Sequence, residues 1–537
     1  MMRRFPLLIL AGVLLATGAP RAAGAQSAAA AGDLIYLLVG RDTFSVERLT
    51  RRGATLESEL LMQQAGARLQ LTVDLAPSAG ATRFRMEFRP ATASATSVAK
   101  QSVDAHFTAD SVIADIGAGG RTMTQRFATE PRALPFVNPS MALLELVVRQ
   151  ALAAGGDSAA VPVWNAQGGK TAPVTVTRLG RDSVTVTMGV PMRFAVSPAG
   201  DILGGSIPSQ NIRIVRVRAG QAPGAGSDPL AVEKPDYSAP PGAPYTAEEV
   251  RVVSPKGHIL AGTLTVPRGT AGRVPAIVTI TGSGASDRDE TLSVVKGYRP
   301  FRQVADTLAR HGIAVLRLDD RGWGESTGDH STATSVDFAE DVRTALAWLR
   351  ARPEIDARRL GLVGHSEGGL IAPMVAAAEP ELRAIVLMAG PSQSGRTILD
   401  YQIRNGIAAT PTLTPTQRDS ALREVPRMID SLGKASPWLR YFLVHDPLAT
   451  ARRVKVPTLI LQGETDRQVT AAQAEELATA LRAGGNRDVT VRLFPRANHL
   501  FVEDADGAPT GYTRLPSGAV RSDVLGELIA WLTTKMR

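Results

Sequence analysis

The chain of 537 residues has no cysteine. That excludes disulfides, thiolate metal sites and a lipidated N-terminal cysteine. Aromatic residues make up only 5% of the chain. Dense runs of Lys and Arg are also missing, so the formal charge of +9 reads as a solvated surface rather than a nucleic-acid-binding face. Long apolar runs are missing except near the start, where residues 7–17 are too few to hold a stable membrane anchor. Arg3 and Arg4 precede that run, and Ala23-Gly24-Ala25 follows it before Gln26. This is the pattern of a secretory signal over residues 1–25, so the protein is expected to be exported to the periplasm or beyond. Loss of Arg3, Arg4 and Arg21 with that segment leaves a charge of about +6.

The length predicts two or three domains. Over 26–218, short alternating runs recur between Gly, Pro and Ser turns, as at 68–75, 82–88, 173–178, 183–188 and 211–217. They predict a β-rich antiparallel meander with one wet face and one helix near 140–154. His106 stands alone there and reads as a structural or surface residue. Residues 219–246, with Pro223, Gly224, Pro240, Pro241 and Gly242, read as a Pro/Gly linker.

From 247 to 537 the pattern changes to alternating strands and helices. Two strands, 249–253 and 259–266, open it. Strands follow at 276–281, 313–318, 360–364, 384–388, 458–462 and 489–494. Helices are predicted at 299–311, 335–351, 367–378, 471–482 and 522–534. The fold class is therefore α/β, a doubly wound and mostly parallel sheet. An interruption at 391–455, helical and proline-punctuated, predicts a cap over the C-terminal edge of the sheet, where such sheets bind ligands.

The chemistry centres on Gly364-His365-Ser366-Glu367-Gly368, between a predicted strand and a predicted helix. That is the context of a nucleophile elbow. A serine hydroxyl needs a base, and the base works best when a carboxylate orients it. Asp466 and His499 both follow late strands, on the same sheet edge as Ser366. Glu464 is the alternative carboxylate, and His445 the other late histidine. His365 reads as a packing residue. Two N–H donors are needed for an oxyanion. They are predicted at Glu367 and Ser283, with Gly284 as the alternative to Ser283. The acid of Glu367 fits the first turn of a helix. A contact with a substrate ammonium is its alternative role. Asp320-Arg321-Gly322 is expected to brace the loop beneath the site through a charged pair. Asp287, Asp289 and Glu290 read as solvated rather than as a cation site.

Residues 247–537 resemble the α/β-hydrolase superfamily, and within it bacterial esterases related to serine aminopeptidases and dienelactone hydrolases. The resemblance rests on Gly282-Ser283-Gly284, Asp287-Arg288-Asp289-Glu290, Asp319 to Ser326, Gly364 to Gly369, Ser436 to Phe442 and Gly463-Glu464-Thr465-Asp466. It implies Ser366 as nucleophile, Asp466 as orienting acid and His499 as base. Thr281 stands where many relatives carry histidine. The expected activity is hydrolysis of carboxylic esters through an acyl-enzyme, with no cofactor and no metal. The alternative is a serine peptidase or aminopeptidase, for which Glu367, Asp400, Asp419 and Glu424 could hold a substrate amine. A prolyl-oligopeptidase layout would need seven propeller blades of about 40–45 residues, more than the N-terminal region holds. A binding protein on an inactive hydrolase scaffold conflicts with the complete set of three catalytic residue types.

Overall fold

The computed structural model describes residues 32–537, apart from 40–41, 63–66, 92–98, 100, 119–120, 189, 211, 220–227, 231–234, 293 and 411–412. The expected signal at 1–25 lies outside the described residues.

Among the described residues the first half is one sheet of 15 strands. Its first strand, Asp33–Val39, pairs antiparallel with its last, Ile212–Val217. From that central pair the sheet runs out on both sides to Arg121–Ala128 and Leu134–Phe136. Those two edge strands are consecutive in sequence, and the strand Lys170–Arg178, near one edge, comes up to the other edge at Ala128. Thr171 Oγ1 donates to Ala128 O at 3.3 Å there. Period-two alternation gives the sheet one buried face. In Ala67–Leu75, residues 67, 69, 71 and 73 are buried and the residues between them are partly exposed.

The concave face wraps the helix Met141–Ala153, whose Leu143, Leu144, Val147 and Val148 are fully buried. Trp164 packs among Phe84, Phe107 and Phe127, with centroids 5.7–6.4 Å apart. Glu47, fully buried, meets the start of this helix. It accepts from the backbone N–H groups of Met141 (2.6 Å) and Ala142 (3.0 Å), and from the hydroxyls of Ser140 and Ser58.

The second half is an eight-stranded sheet in the order Tyr245–Val253, Ile259–Pro267, Ala314–Leu318, Val274–Ile280, Ile355–His365, Ala384–Met388, Thr458–Gly463, Val489–Phe494. All pairs from Ala314–Leu318 onward are parallel, and the first two strands are antiparallel. Helices cover both faces. Among the described residues four helices, Gly395–Ala408, Pro415–Ala435, Pro437–Phe442 and Pro447–Ala451, occupy the insertion between Ala384–Met388 and Thr458–Gly463. Among the described residues no helix is long and apolar enough to cross a membrane.

The segment 219–246 is less free than a solvated linker. Leu230 is buried beside Leu34, Val46 and Leu61, and Arg48 pairs with Asp228. At the other end Arg302 donates to Asp236 O, and Arg288 stacks 4.1 Å over the Tyr237 ring. The strand Tyr245–Val253 begins inside the segment. Prolines bar a helix there, but Leu230 and Tyr237 still find apolar and cationic surface to cover.

Candidate active site

Ser366 sits between the strand Ile355–His365 and the helix Glu367–Ala378 with φ 52° and ψ −116°, a conformation that L-residues rarely adopt. The neighbouring backbones enforce it. A Cβ at Gly364 would run into the backbone of Gly368, and one at Gly368 into the carbonyl of Ile280. Ser366 N donates to Met388 O at 2.9 Å, which pins the turn to the next strand. The hydroxyl is thereby lifted off the sheet at the start of a helix, where the first N–H groups have no intrahelical partner.

Asp466 lies just past the strand Thr458–Gly463. Its Oδ1 accepts from the N–H of Gln468 (2.7 Å) and Val469 (2.9 Å). Its Oδ2 accepts from His499 Nδ1 at 2.8 Å. Burial opposes the charge, but the His499 imidazole and the two backbone N–H groups outweigh it and hold the carboxyl below its ordinary range. With Nδ1 donating to a carboxylate, His499 Nε2 is free to act as an acceptor. The loop carrying His499 is shaped by Asn498, whose Oδ1 accepts from Leu500 N and Val502 N. Ser366 and His499 line one cavity of about 440 Å³, with Leu292, Ile398, Trp438 and Phe442 among its apolar walls. Glu464, the alternative carboxylate, is not the one that holds His499. His445 bonds Tyr441 Oη in the insertion and does not line this cavity.

The loop after Val274–Ile280 faces Ser366 from the other side. Asp320 holds both of its ends, accepting from Thr281 Oγ1 and from Ser286 N, each at 2.8 Å. Burial pushes the Asp320 carboxyl well above its ordinary range against those two bonds. Gly282 N–H is committed to Glu290 Oε1 at 2.7 Å. Ser283 borders the cavity, whereas Gly284 faces a smaller space behind the loop. Glu367 is buried. Its Oε1 accepts from Ser335 Oγ (2.6 Å) and Trp438 Nε1 (2.7 Å). Burial raises its pKa against those bonds and one from Ser283. The side chain thus ties the insertion to the helix start, a role invisible in a first-turn glutamate.

Three sequence expectations change. Asp287, Asp289 and Glu290 are not simply solvated. Asp289 is fully buried and paired with Arg317 and Arg299, and Glu290 is 9% exposed. Arginines on the adjacent strand Ala314–Leu318 and before the helix Pro300–Arg310 hold Asp289 inward, while Glu290 is held by Gly282 N–H and His365. The charged brace exists, but Arg321 pairs with Asp341, at 2.6 and 2.8 Å, while Asp320 serves the loop. His365 does more than pack. Its Nδ1 meets Glu290 Oε1 at 2.8 Å and its Nε2 meets His499 O at 2.9 Å. No sequence signal points to that link, because its partners are 75 and 134 positions away. Of the acids offered for a substrate amine, Asp400 pairs with Arg404 and Glu424 with Arg427, outside the cavity that holds Ser366. Among the described residues no group of three or more His, Asp or Glu is arranged to hold a metal ion.

Parts of the chain are similar to known proteins. The family model described as serine aminopeptidase S33 matches residues 295–506. Esterase EstD of Thermotoga maritima is 28% identical over 305 residues, which cover 56% of this chain and 70% of the esterase. Dipeptidyl aminopeptidase BIII of Pseudoxanthomonas mexicana is 28% identical over 268 residues, 47% of this chain but only 35% of that enzyme. Among solved structures, an esterase of Pyrococcus furiosus aligns at 17% identity and a TM-score of 0.38, covering 55% of this chain and 92% of its own.

Proposed function

We propose that this chain, a member of the α/β-hydrolase superfamily, is a serine hydrolase that cleaves carboxylic esters through an acyl-enzyme. The observation that carries the reading is the 2.8 Å contact of His499 with Asp466, on the cavity that Ser366 borders. His499 Nε2 takes the Ser366 proton as Oγ attacks the ester carbonyl. The oxyanion is received by the N–H groups of Glu367 and Ser283. The imidazolium, steadied by Asp466, gives its proton to the leaving alkoxide. Water then attacks the acyl-Ser366 ester, with His499 again as base, and the acid is released. Ser366 and His499 make no direct hydrogen bond here. Such contacts often tighten only with substrate bound.

Peptidase action is the second reading. It is favoured by one feature, the buried carboxylate of Glu367 on the cavity wall, although both donors on its Oε1 come from the protein itself. Parallel assays of p-nitrophenyl esters and amino-acid p-nitroanilides separate the two. Ester turnover that disappears in Ser366→Ala supports the proposal, and anilide turnover exceeding ester turnover overturns it. Chelators should leave the rate unchanged. Residues 1–25 are read as a signal removed on export. Cell fractionation that finds the intact chain in the cytoplasm would overturn that reading.

A further inference from the structure

A second carboxylate–imidazole pair lies directly beneath the nucleophile. Glu290 Oε1 accepts from Gly282 N–H at 2.7 Å and from His365 Nδ1 at 2.8 Å. A backbone carbonyl can only accept, so His365 Nε2 carries a proton and donates it to His499 O at 2.9 Å. The His365 and His499 rings lie 4.9 Å apart, tilted by 46°. His365 and Glu290 are both buried, and Glu290 holds an uncommon φ of 55° to reach this position. Burial by itself would lower the pKa of His365. The Glu290 charge and hydrogen bond outweigh that and raise it.

One continuous chain of bonds therefore runs from the loop that faces the nucleophile, through Glu290 and His365, to the backbone of the base. Its middle member is covalently bonded to Ser366. A Cβ on Gly282 would meet Glu290 Oε1 at 2.8 Å and Ser366 Cβ at 3.2 Å, so the loop, the pair and the nucleophile are in direct contact. The pair also removes Gly282 N–H from use and leaves Ser283 N–H as the next donor.

We propose that His365 and Glu290 are positioning residues that set the base and the oxyanion loop against Ser366, an inference that rests on the serine-hydrolase reading above. Neither residue touches substrate. They fix two distances that the reaction needs, and a misplacement of about 1 Å can lower a rate about 100-fold.

The two side-chain amides separate the two arms. His365→Asn places a donor near the former Nδ1 and keeps the Glu290 arm. His365→Gln places one near the former Nε2 and keeps the His499 arm. The measurements are steady-state hydrolysis of p-nitrophenyl acetate, normalised to sites titrated with a fluorophosphonate so that only folded protein is counted, and binding of a trifluoromethyl ketone. His365→Asn should lower kcat about 10- to 100-fold with KM within about twofold, and slow fluorophosphonate labelling in proportion. His365→Gln should recover most of the labelling rate, because the base is again tied. Glu290→Gln should weaken the ketone, which mimics the oxyanion, more than it slows labelling. Glu290→Gln with His365→Asn should be no worse than about the product of the singles, and closer to His365→Asn alone, because the residues act as one unit. If both His365 variants keep the wild-type kcat and lose only thermal stability, the role is packing and the proposal fails. Full turnover by Ser366→Ala, in contrast, would sink the serine-hydrolase reading itself.

Discussion

Two helix starts in this molecule use the same backbone dipole in opposite ways. The helix Met141–Ala153 begins against the buried carboxyl group of Glu47, which takes its first two N–H groups, although burial raises its pKa against those bonds. The helix Glu367–Ala378 begins at Ser366, and Ser366 and Glu367 both line the cavity. Both starts attract negative charge for the same reason. At the first, the acceptor is a side chain of a neighbouring strand, and the result is a fixed core. At the second, the charge is proposed to come from a tetrahedral intermediate that lives only during turnover. A saturated helix start contributes stability, and an unsaturated one on a cavity can contribute rate.

The sharpest test of that contrast is Ser366→Ala, expected to lower ester turnover by about four to six orders of magnitude with thermal unfolding nearly unchanged. Turnover within tenfold of wild type in clean protein would place the nucleophile elsewhere. Asp466→Asn comes next, with a loss of about three to four orders of magnitude, since the amide disturbs the His499 tautomer but leaves Ser366 in place.

Glu47→Ala should do the reverse. It leaves two buried N–H groups and two buried hydroxyls without their acceptor, and should destabilise the N-terminal sheet by about 2–4 kcal/mol in denaturant titration. Turnover of p-nitrophenyl acetate should stay within about twofold. A large loss of activity would show that the two halves are energetically coupled at the site.

The pH profile is a further check. The Asp466 carboxyl is held below its ordinary range, so its charge persists into acid solution. The stability it confers is present above the unfolded carboxylate pKa and is lost only as pH falls through the lowered folded value. The rate should therefore rise with pH only as the general base itself loses its proton, by up to about tenfold per unit. A midpoint near pH 4 would implicate a carboxylate as the base.

The smallest expected effect concerns the segment between the halves. Residues 235–537 expressed alone should fold and hydrolyse p-nitrophenyl acetate. The same chain begun at 240 should be less stable by about 1–2 kcal/mol, because it loses the Tyr237 ring under Arg288. Equal melting temperatures for the two would show that this contact contributes nothing.

Elements with strong local periodicity were legible before the structure. Helix 367–378 is identical to its expected span, and the strands at 384–388 and 489–494 coincide as well. Ser366, Asp466 and His499 were legible because each sits at a strand end with its own local motif, and the structure brings Asp466 and His499 into contact and His499 onto the Ser366 cavity. The approach of the first sheet's two edges was not legible, because it depends on the contact of Thr171 with Ala128 across distant strands. The inward turn of Asp289 was hidden for a similar reason. An acid in a polar loop looks solvated until Arg317 arrives from a strand 28 positions away. His365 looked like packing because its partners belong to two other loops.

In the first sheet, Leu34 faces Val217 across the central ladder. During synthesis the opening strand must therefore wait for roughly 180 more residues, about 10–40 s on a ribosome, before its second neighbour exists. Until then its free edge can be capped only from one side. A chaperone, or a pause in translation near residue 217, would act more on this half of the protein than on the other, where the longest such wait, from Val274–Ile280 to Ile355–His365, spans fewer than half as many residues.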